Sequence, residues 1–456
     1  MSWPASSATL GPFFGSEAMA AIFSDRARIQ AMLDVEAALA RAEAACGIIP
    51  ASAVGPIAEM ADAGRFDLEA LGREALNSGN LAVPLVKHLT ALVAGGDAEA
   101  ARWVHWGSTS QDIADTGLVL QMRRGFALID RQLTQLCDRL ADLAEAHAAT
   151  PMIARTLMQQ AIPTTLGLKL AGWLSGLSRA RDRLSEIAPR VLVLQCGGAA
   201  GNLAALHPDG PKLADGLGAA LGLPVPDLPW HTQRDRVAEA GCGLALTLGC
   251  LGKLGRDLSL MAQTEIGEFR EPGGDGRGGS SAMPHKANPV ACARIIAAAT
   301  RAPGLAATLL SVMDQEHERG LGGWQAEWEV LPELFRLTSG ALEAALLLAA
   351  HGTFDPDRLA ANLGLTRGLV MAEAAAIALG RKAGKAEAHR LIGRASQKAM
   401  AEHIHLRDAL AADPDIAPHI TAAERDALFA PENHLGAAPE LTLRAVAAYR
   451  SKREGR

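Results

Sequence analysis

Aromatic residues are scarce in this chain of 456 residues: they make up 4% of it, and Tyr449 is the single tyrosine. With alanine and leucine abundant instead, that scarcity argues against a β-rich core and for close-packed helices. The six cysteines, Cys46, Cys137, Cys196, Cys242, Cys250 and Cys292, are scattered, with no CxxC pair and no Cys/His cluster. The spacing offers neither a structural zinc site nor a disulfide framework, and buried thiols are expected. Positive charge is not in excess: 44 Lys and Arg against 50 Asp and Glu leave a net charge of −6, without the uniform basic field that nucleic-acid binding uses. No uninterrupted apolar run approaches the roughly 18 residues of a membrane span. The opening MSWPASSATLGPFF has no cationic stretch followed by an apolar one. These absences predict a soluble cytoplasmic protein with no nucleic-acid or membrane partner. What is present, 49% apolar and 21% charged residues, supplies a large core and excludes a disordered chain. The length suits two or three domains.

Helical periodicity dominates. Val119, Met122, Phe126, Ile129, Leu133, Leu136, Leu140 and Leu143 alternate steps of three and four, which predicts one helix of about 50 Å over 112–147. Leu166 to Ile187 and Leu244 to Met261 keep the same rhythm. Further helices are expected over 290–313, with a bend at Pro303, and over 331–350, with Pro332 in the first turn. Five long seams of this kind predict a bundle, and seams so long point to subunits that share it. A shorter helix over 24–46 ends at Gly47, and Asp355-Pro356-Asp357 opens a new helical unit. The chain therefore divides into an N-terminal helical piece, 1–107, a central long-helix piece, 108–353, and a C-terminal helical piece, 354–456. No segment reads as a strand series.

Three polar islands interrupt the Ala/Leu background. Val104-His105-Trp106-Gly107-Ser108-Thr109-Ser110-Gln111-Asp112 precedes the longest helix. Its hydroxyls and backbone N–H groups can meet an anion at the positive end of the helix, or Ser110 or Asp112 can simply cap it. Residues 155–165, RTLMQQAIPTT, read as a loop with a cap at Thr164 or Thr165. The third island, 269–289, sets five glycines before Ser280-Ser281, then Lys286 and Asn288 two apart, then a helix. Such a flank suits a loop that closes over a ligand. Its GDGRGG matches GxGxxG, but a helix is predicted before it where a dinucleotide fold needs a strand.

The third island, GSSAMPHKANP, resembles the signature of the fumarase/aspartase superfamily, and GSTSQD and RTLMQQAIPTT resemble its other two regions in the family's order and spacing. The resemblance implies an all-α, three-domain subunit whose central long-helix bundle forms a twenty-helix core in a homotetramer. It also implies active sites shared between subunits, a small-molecule carboxylate substrate, and no metal or organic cofactor. Members add or eliminate a group β to a carboxylate through a carbanion held as an aci-carboxylate. Carried over by position, Ser280 matches the catalytic base. Lys286 and Asn288 match carboxylate-binding positions, and Thr109, Ser110 and Gln111 match a second substrate-binding stretch. Ser78 and Asn80 match another, and Thr156 and Gln159 match the second region. His105 anchors a carboxylate, relays a proton, or packs structurally. His285 adds positive charge beside Lys286 or is a solvated loop position. Arg319 holds a substrate anion or makes a surface ion pair. Trp324 and Trp328, four apart, read as core.

The chain departs from most members at two places. A histidine usual in the second region is Leu157 here, and the glutamate that pairs with it is Ala293. Both halves of an acid–base dyad are thus apolar, which selects a reaction that needs no protonated leaving group. A carboxylate leaves with a pKa near ~4 against ~10 for an alkylamine, a gap worth about 8 kcal/mol. Segments 22–26, 48–52, 84–87, 104–107 and 322–328 resemble the same lactone-forming branch, which implies a tricarboxylate substrate. The rival is an amine-expelling member such as adenylosuccinate lyase, which shares the SSAMPHK style but wants the missing histidine. A catalytically inactive structural relative is the reading from another class, and the intact Ser280, Lys286 and Asn288 argue against it.

Overall fold

The structure is a computed structural model and describes residues 8–274 and 276–455; part of the opening segment and Asp275 lie outside the described residues. Five long helices carry the architecture: Ser110–Ala146, Leu166–Val191, Asp235–Met261, Val290–Ser311 and Gly323–His351. The apolar stripe expected of the first is buried, with Val119, Ile129, Leu133, Leu136 and Leu140 at 2% exposure or less. The chain forms two compact units. One comprises the described residues up to Thr134 with Arg179–Gly252 and Arg294–Ala345; the other comprises Gln135–Ser178, Lys253–Ala293 and the residues from Leu346 onward.

In the first unit, the helix Asp25–Ala45 begins at Ser24, whose hydroxyl accepts from Ala27 N, and ends where Gly47 takes a left-handed φ of +73°. Ile48 N then reaches Glu43 O, the six-to-one bond that closes a helix at such a glycine. Phe23, Phe126 and Phe335 meet with centroids 5.1 Å apart. Gly125 permits that contact, because a Cβ there would lie 2.8 Å from the Phe335 ring. The same unit holds a buried ion triad. Arg234 donates to Asp115 at 2.7 and 3.1 Å and to Glu327 at 3.0 Å, all three side chains being 2% exposed or less. Trp324 Nε1 also donates to Asp115, and the Arg234 guanidinium lies over the Trp230 ring.

The second unit holds a two-stranded antiparallel hairpin, Pro151–Thr156 against Gln159–Thr165. Arg155 beside its tip donates to both oxygens of the fully buried Glu268 at 2.9 and 2.7 Å, and Asn362 Nδ2 donates to the same carboxylate at 2.7 Å. The C-terminal helices Ala372–Ala383, Lys385–Glu402 and Leu406–Ala412 pack round Leu379, Leu391, Leu406 and Ile416.

Several expectations are corrected. Residues 151–165 are a hairpin, not a loop, although Thr165 does cap the following helix by accepting from Leu168 N. The helix expected to start near Leu331 starts at Gly323, so Pro332 lies inside it. Cys46, Cys242 and Cys250 are only half-buried, and all six cysteines are thiols. What directly precedes the glycine run is the two-residue strand Phe269–Arg270, not a helix, and the next helix waits until Val290. Trp324 is core, but Trp328 lines a cavity. Asp235–Met261 and Val290–Ser311 are long and apolar enough, by length and composition, to cross a membrane. Counting uninterrupted apolar runs missed them because charged residues such as Lys253 and Arg294 break each run.

Removing one member of the Arg234 triad leaves an uncompensated buried charge. Arg234→Met is expected to lower the unfolding free energy in guanidinium by about 3–5 kcal/mol; a loss below about 1 kcal/mol would show that the triad is energetically neutral.

Candidate active site

The first polar island is organised by Asp112, 2% exposed in the first turn of its helix. One carboxylate oxygen accepts from Thr109 N at 3.2 Å, Ser108 Oγ at 3.3 Å and Gly198 N at 2.8 Å. The other accepts from Gly197 N at 2.9 Å and lies 2.8 Å from His231 Nε2. This carboxylate therefore closes the helix start and ties it to the 197–198 turn, as the capping alternative expected for Asp112. The arrangement also places Thr109 Oγ1 where Arg319 Nη2 donates to it at 2.8 Å, with Ala199 O at 2.9 Å. Arg319 is thus not a surface ion pair. It is a half-buried cation fixed beside the first island. Ser110 is half-buried at the helix start. Gln111 is fully buried, and its amide donates to Asp115 and to His231 O.

His105 holds a left-handed φ of +60°, uncommon for a residue with a Cβ. Its Nδ1 lies 2.7 Å from Glu36 Oε1, which leaves Nε2 without a partner among the described residues. Burial works against charge on this ring, but the Glu36 carboxylate, its hydrogen bond and the nearby Asp112 outweigh it, so the imidazole's pKa is raised. Glu43, close enough to Glu36 to feel its charge, is fully buried, with neither carboxylate oxygen hydrogen-bonded. Sequence reasoning missed Glu36 and Glu43. The available signal was two acids seven apart, in phase with the Ala/Leu stripe of Asp25–Ala45.

Ser78 and Asn80 share a turn. Ser78 Oγ donates to Asn80 O at 2.7 Å, and Asn80 Oδ1 accepts from Val83 N at the start of the helix Ala82–Gly96.

In the second unit, the hairpin carries Thr156 and Gln159 on either side of a turn made by Leu157 and Met158, both at positive φ. Two consecutive residues at positive φ match the twist of a tight hairpin, and non-glycine residues there are strained. Leu157 is 98% exposed and Met158 73%, so the turn presents an apolar tip.

The glycine-rich island is held at both ends. Glu271 accepts from Ala291 N at 3.0 Å and Cys292 N at 2.8 Å, capping Val290–Ser311. Asn288 donates to Gly278 O from its backbone at 2.8 Å and from Nδ2 at 3.0 Å. Gly278 has φ +66°, and a Cβ there would lie 2.5 Å from Asn288 O, so the closure requires glycine. Between these ends Ser280 Oγ accepts from Ala282 N at 3.3 Å and Met283 N at 3.1 Å. Two N–H groups aimed at one hydroxyl oxygen favour its anion. Lys286 and His285 are exposed on the same loop. Each unit thus gathers its own share of the anticipated residues: Ser78, Asn80, His105, Thr109, Ser110, Gln111 and Arg319 in the first; Thr156, Gln159, Ser280, His285, Lys286 and Asn288 in the second. Among the described residues no His, Cys, Asp and Glu cluster could hold a metal ion.

Residues 14–304 match a family model described as lyase, and residues 368–445 match one described as adenylosuccinate lyase C-terminus. A 3-carboxy-cis,cis-muconate cycloisomerase of Pseudomonas aeruginosa is 52% identical over 437 residues, 96% of this chain and 95% of its own. One of Bradyrhizobium diazoefficiens is 51% identical over 94% of this chain and 95% of its own. The crystal structure of the 3-carboxy-cis,cis-muconate lactonizing enzyme from Pseudomonas putida superposes with a TM-score of 0.94 at 48% identity, covering 98% of this chain and 99% of that one.

Burial, reinforced by the charge of Glu36, pushes the Glu43 carboxyl up to about 9. The folded protein then keeps a proton that the unfolded chain releases near pH ~4.3, so stability falls as pH rises between those values. Glu43→Gln is expected to flatten that slope by up to about 1.4 kcal/mol per pH unit in urea titrations run between pH ~5 and ~9; parallel slopes for variant and parent would refute the buried acid.

Proposed function

The chain belongs to the lyase family of the fumarase/aspartase superfamily, and from that premise we propose that it interconverts 3-carboxy-cis,cis-muconate and 4-carboxymuconolactone, the ring-closing step that follows protocatechuate cleavage. The observation that carries the reading is a complete Ser280, Lys286 and Asn288 loop in a chain whose hairpin turn ends in the exposed apolar Leu157. Relatives that share more than half their residues with it, across nearly their whole length, are cycloisomerases of this substrate, which supports the same assignment.

One carboxylate oxygen of the substrate adds across the conjugated double bond, and negative charge collects on a second carboxylate. Lys286 supplies a cation and Asn288 an amide donor to that aci-carboxylate, where charge develops in the transition state. Ser280 delivers a proton to the carbanionic carbon, and in the reverse direction it is the base. Its two backbone N–H contacts make the alkoxide accessible, and closure of the glycine-rich loop would strengthen them by excluding water. Thr156, Gln159, Ser78, Asn80, Thr109 and Ser110 are polar substrate contacts in this reading, with His285 adding charge beside Lys286. Gln111 shapes the site from behind, since its amide points into the protein. His105, fixed through Nδ1 by Glu36, offers Nε2 to a carboxylate or to the proton's route. The departing carboxylate in ring opening is stable as an anion, so neither Leu157 nor Ala293 need be an acid. No metal or organic cofactor enters this chemistry.

We infer a homotetramer with shared sites and a long-helix core, organised in the three pieces 1–107, 108–353 and 354–456. The apolar helix Val290–Ser311 has only 33% of its most apolar stretch buried within its own chain, and Leu157, Leu310 and Leu321 are exposed. Partner subunits that cover such surfaces explain them better than a lipid or nucleic-acid partner does. Six cysteines kept as thiols fit a cytoplasmic enzyme.

Ser280→Ala is expected to keep the fold and lose about 10²–10⁴ in kcat, read as the loss of diene absorbance with 3-carboxy-cis,cis-muconate. Near-normal turnover in that variant would remove Ser280 from the mechanism. With the parent in D₂O, proton NMR is expected to show one deuterium on the carbon next to the ring-closing position; deuterium elsewhere would contradict the protonation step.

A further inference from the structure

The first unit contains a cavity of about 60 Å³ lined by Asn80 and Trp328 among others. Met32, Leu118 and Trp328 give it apolar walls, while Arg28, Asn80 and Gln121 bring polar groups to it. Arg28, in the first turn of Asp25–Ala45, differs from Arg234 and Arg319 in this unit. Its guanidinium makes no hydrogen bond and no ion pair with any described residue, whereas Arg234 is saturated by two carboxylates and Arg319 by Thr109 and Ala199. Burial lowers its proton affinity, and the charges of Asp25 and Glu329 offset that from beyond ion-pair distance. Asp115 also lines the cavity, but its oxygens are already engaged by Arg234, Trp324 and Gln111. The unpartnered charge facing the cavity is therefore positive.

We propose that this cavity is a carboxylate subsite, in which Arg28 receives one carboxylate of the substrate between Asn80 and the Trp328 ring. A desolvated guanidinium with no internal partner holds its donors ready for a planar anion, and apolar walls strengthen the attraction by excluding water. A space of about 60 Å³, several times the ~10–15 Å³ that one water needs, admits a carboxylate group. A tricarboxylate carries three negative groups, and Arg28, with no internal partner, offers a place for one of them. That the anion is a substrate carboxylate rests on the reaction proposed above; that the cavity takes a carboxylate does not.

Isothermal titration of the intact protein with tricarballylate, an unreactive tricarboxylate, separates the two statements. The parent is expected to bind it, Arg28→Gln to bind at least about tenfold more weakly, and Arg28→Lys to fall between them, because an ammonium keeps the charge but not the fork. Thermal midpoints of the variants report folding independently. In turnover, Arg28→Gln is expected to raise KM for 3-carboxy-cis,cis-muconate with less effect on kcat, and so to lower the preference for the tricarboxylate over cis,cis-muconate about tenfold. Equal affinities for parent and both folded variants, or no binding by the parent, would overturn the subsite. Arg28-dependent binding by a parent that leaves 3-carboxy-cis,cis-muconate unchanged would keep the subsite and remove the reaction.

Discussion

The first unit's share of the candidate site depends on one buried carboxylate. Asp112 gathers backbone N–H groups from Thr109, Gly197 and Gly198 and the His231 ring at the start of a 37-residue helix. Without a partnered acid at this position the first-turn N–H groups and the 197–198 turn would compete for water in a place that has none. With it, Thr109 is held for Arg319, and the preceding turn can hold His105 in its uncommon backbone conformation against Glu36. The positive end of the helix and the fixed arginine then face the same small region, so its character is set before any ligand arrives.

A chain of net charge −6 draws a polyanion only through local cations on low-dielectric walls. Arg319 and Arg28 are such cations of the first unit, and Lys286 is one on the exposed loop of the second. A serine is a weak base until its alkoxide is stabilised, and here two backbone N–H groups already point at Ser280 Oγ. The glycine-rich flank is fixed at Glu271 and Asn288, so Ser280 hangs between two anchored ends on backbone that glycine leaves free to adjust.

Much of this was readable from residue order. The long helices follow apolar stripes, Thr165 caps one of them, and Ser24, Gly47 and Asp355 bound shorter helices by ordinary capping chemistry. The hairpin at 151–165 was not legible, because its turn is Leu157-Met158 where Asn or Gly would announce it, and Pro163 lies within its second strand. The start at Gly323 was hidden by two glycines and by Pro332, which reads as a first-turn residue yet sits well inside. Glu36 and Arg28 were passed over for a shared reason. On an Ala-rich helix a charged side chain reads as the solvated face, and only the packing shows that Glu36 meets His105 and that Arg28 turns to a cavity.

The account turns on the leaving group being an oxygen acid already stable as an anion, which is why an apolar hairpin tip suffices. Parallel assays of the purified protein with 4-carboxymuconolactone and with adenylosuccinate test this directly. The account predicts that the lactone opens to the conjugated diene while no AMP is released. Brisk release of AMP with the lactone left intact would contradict it.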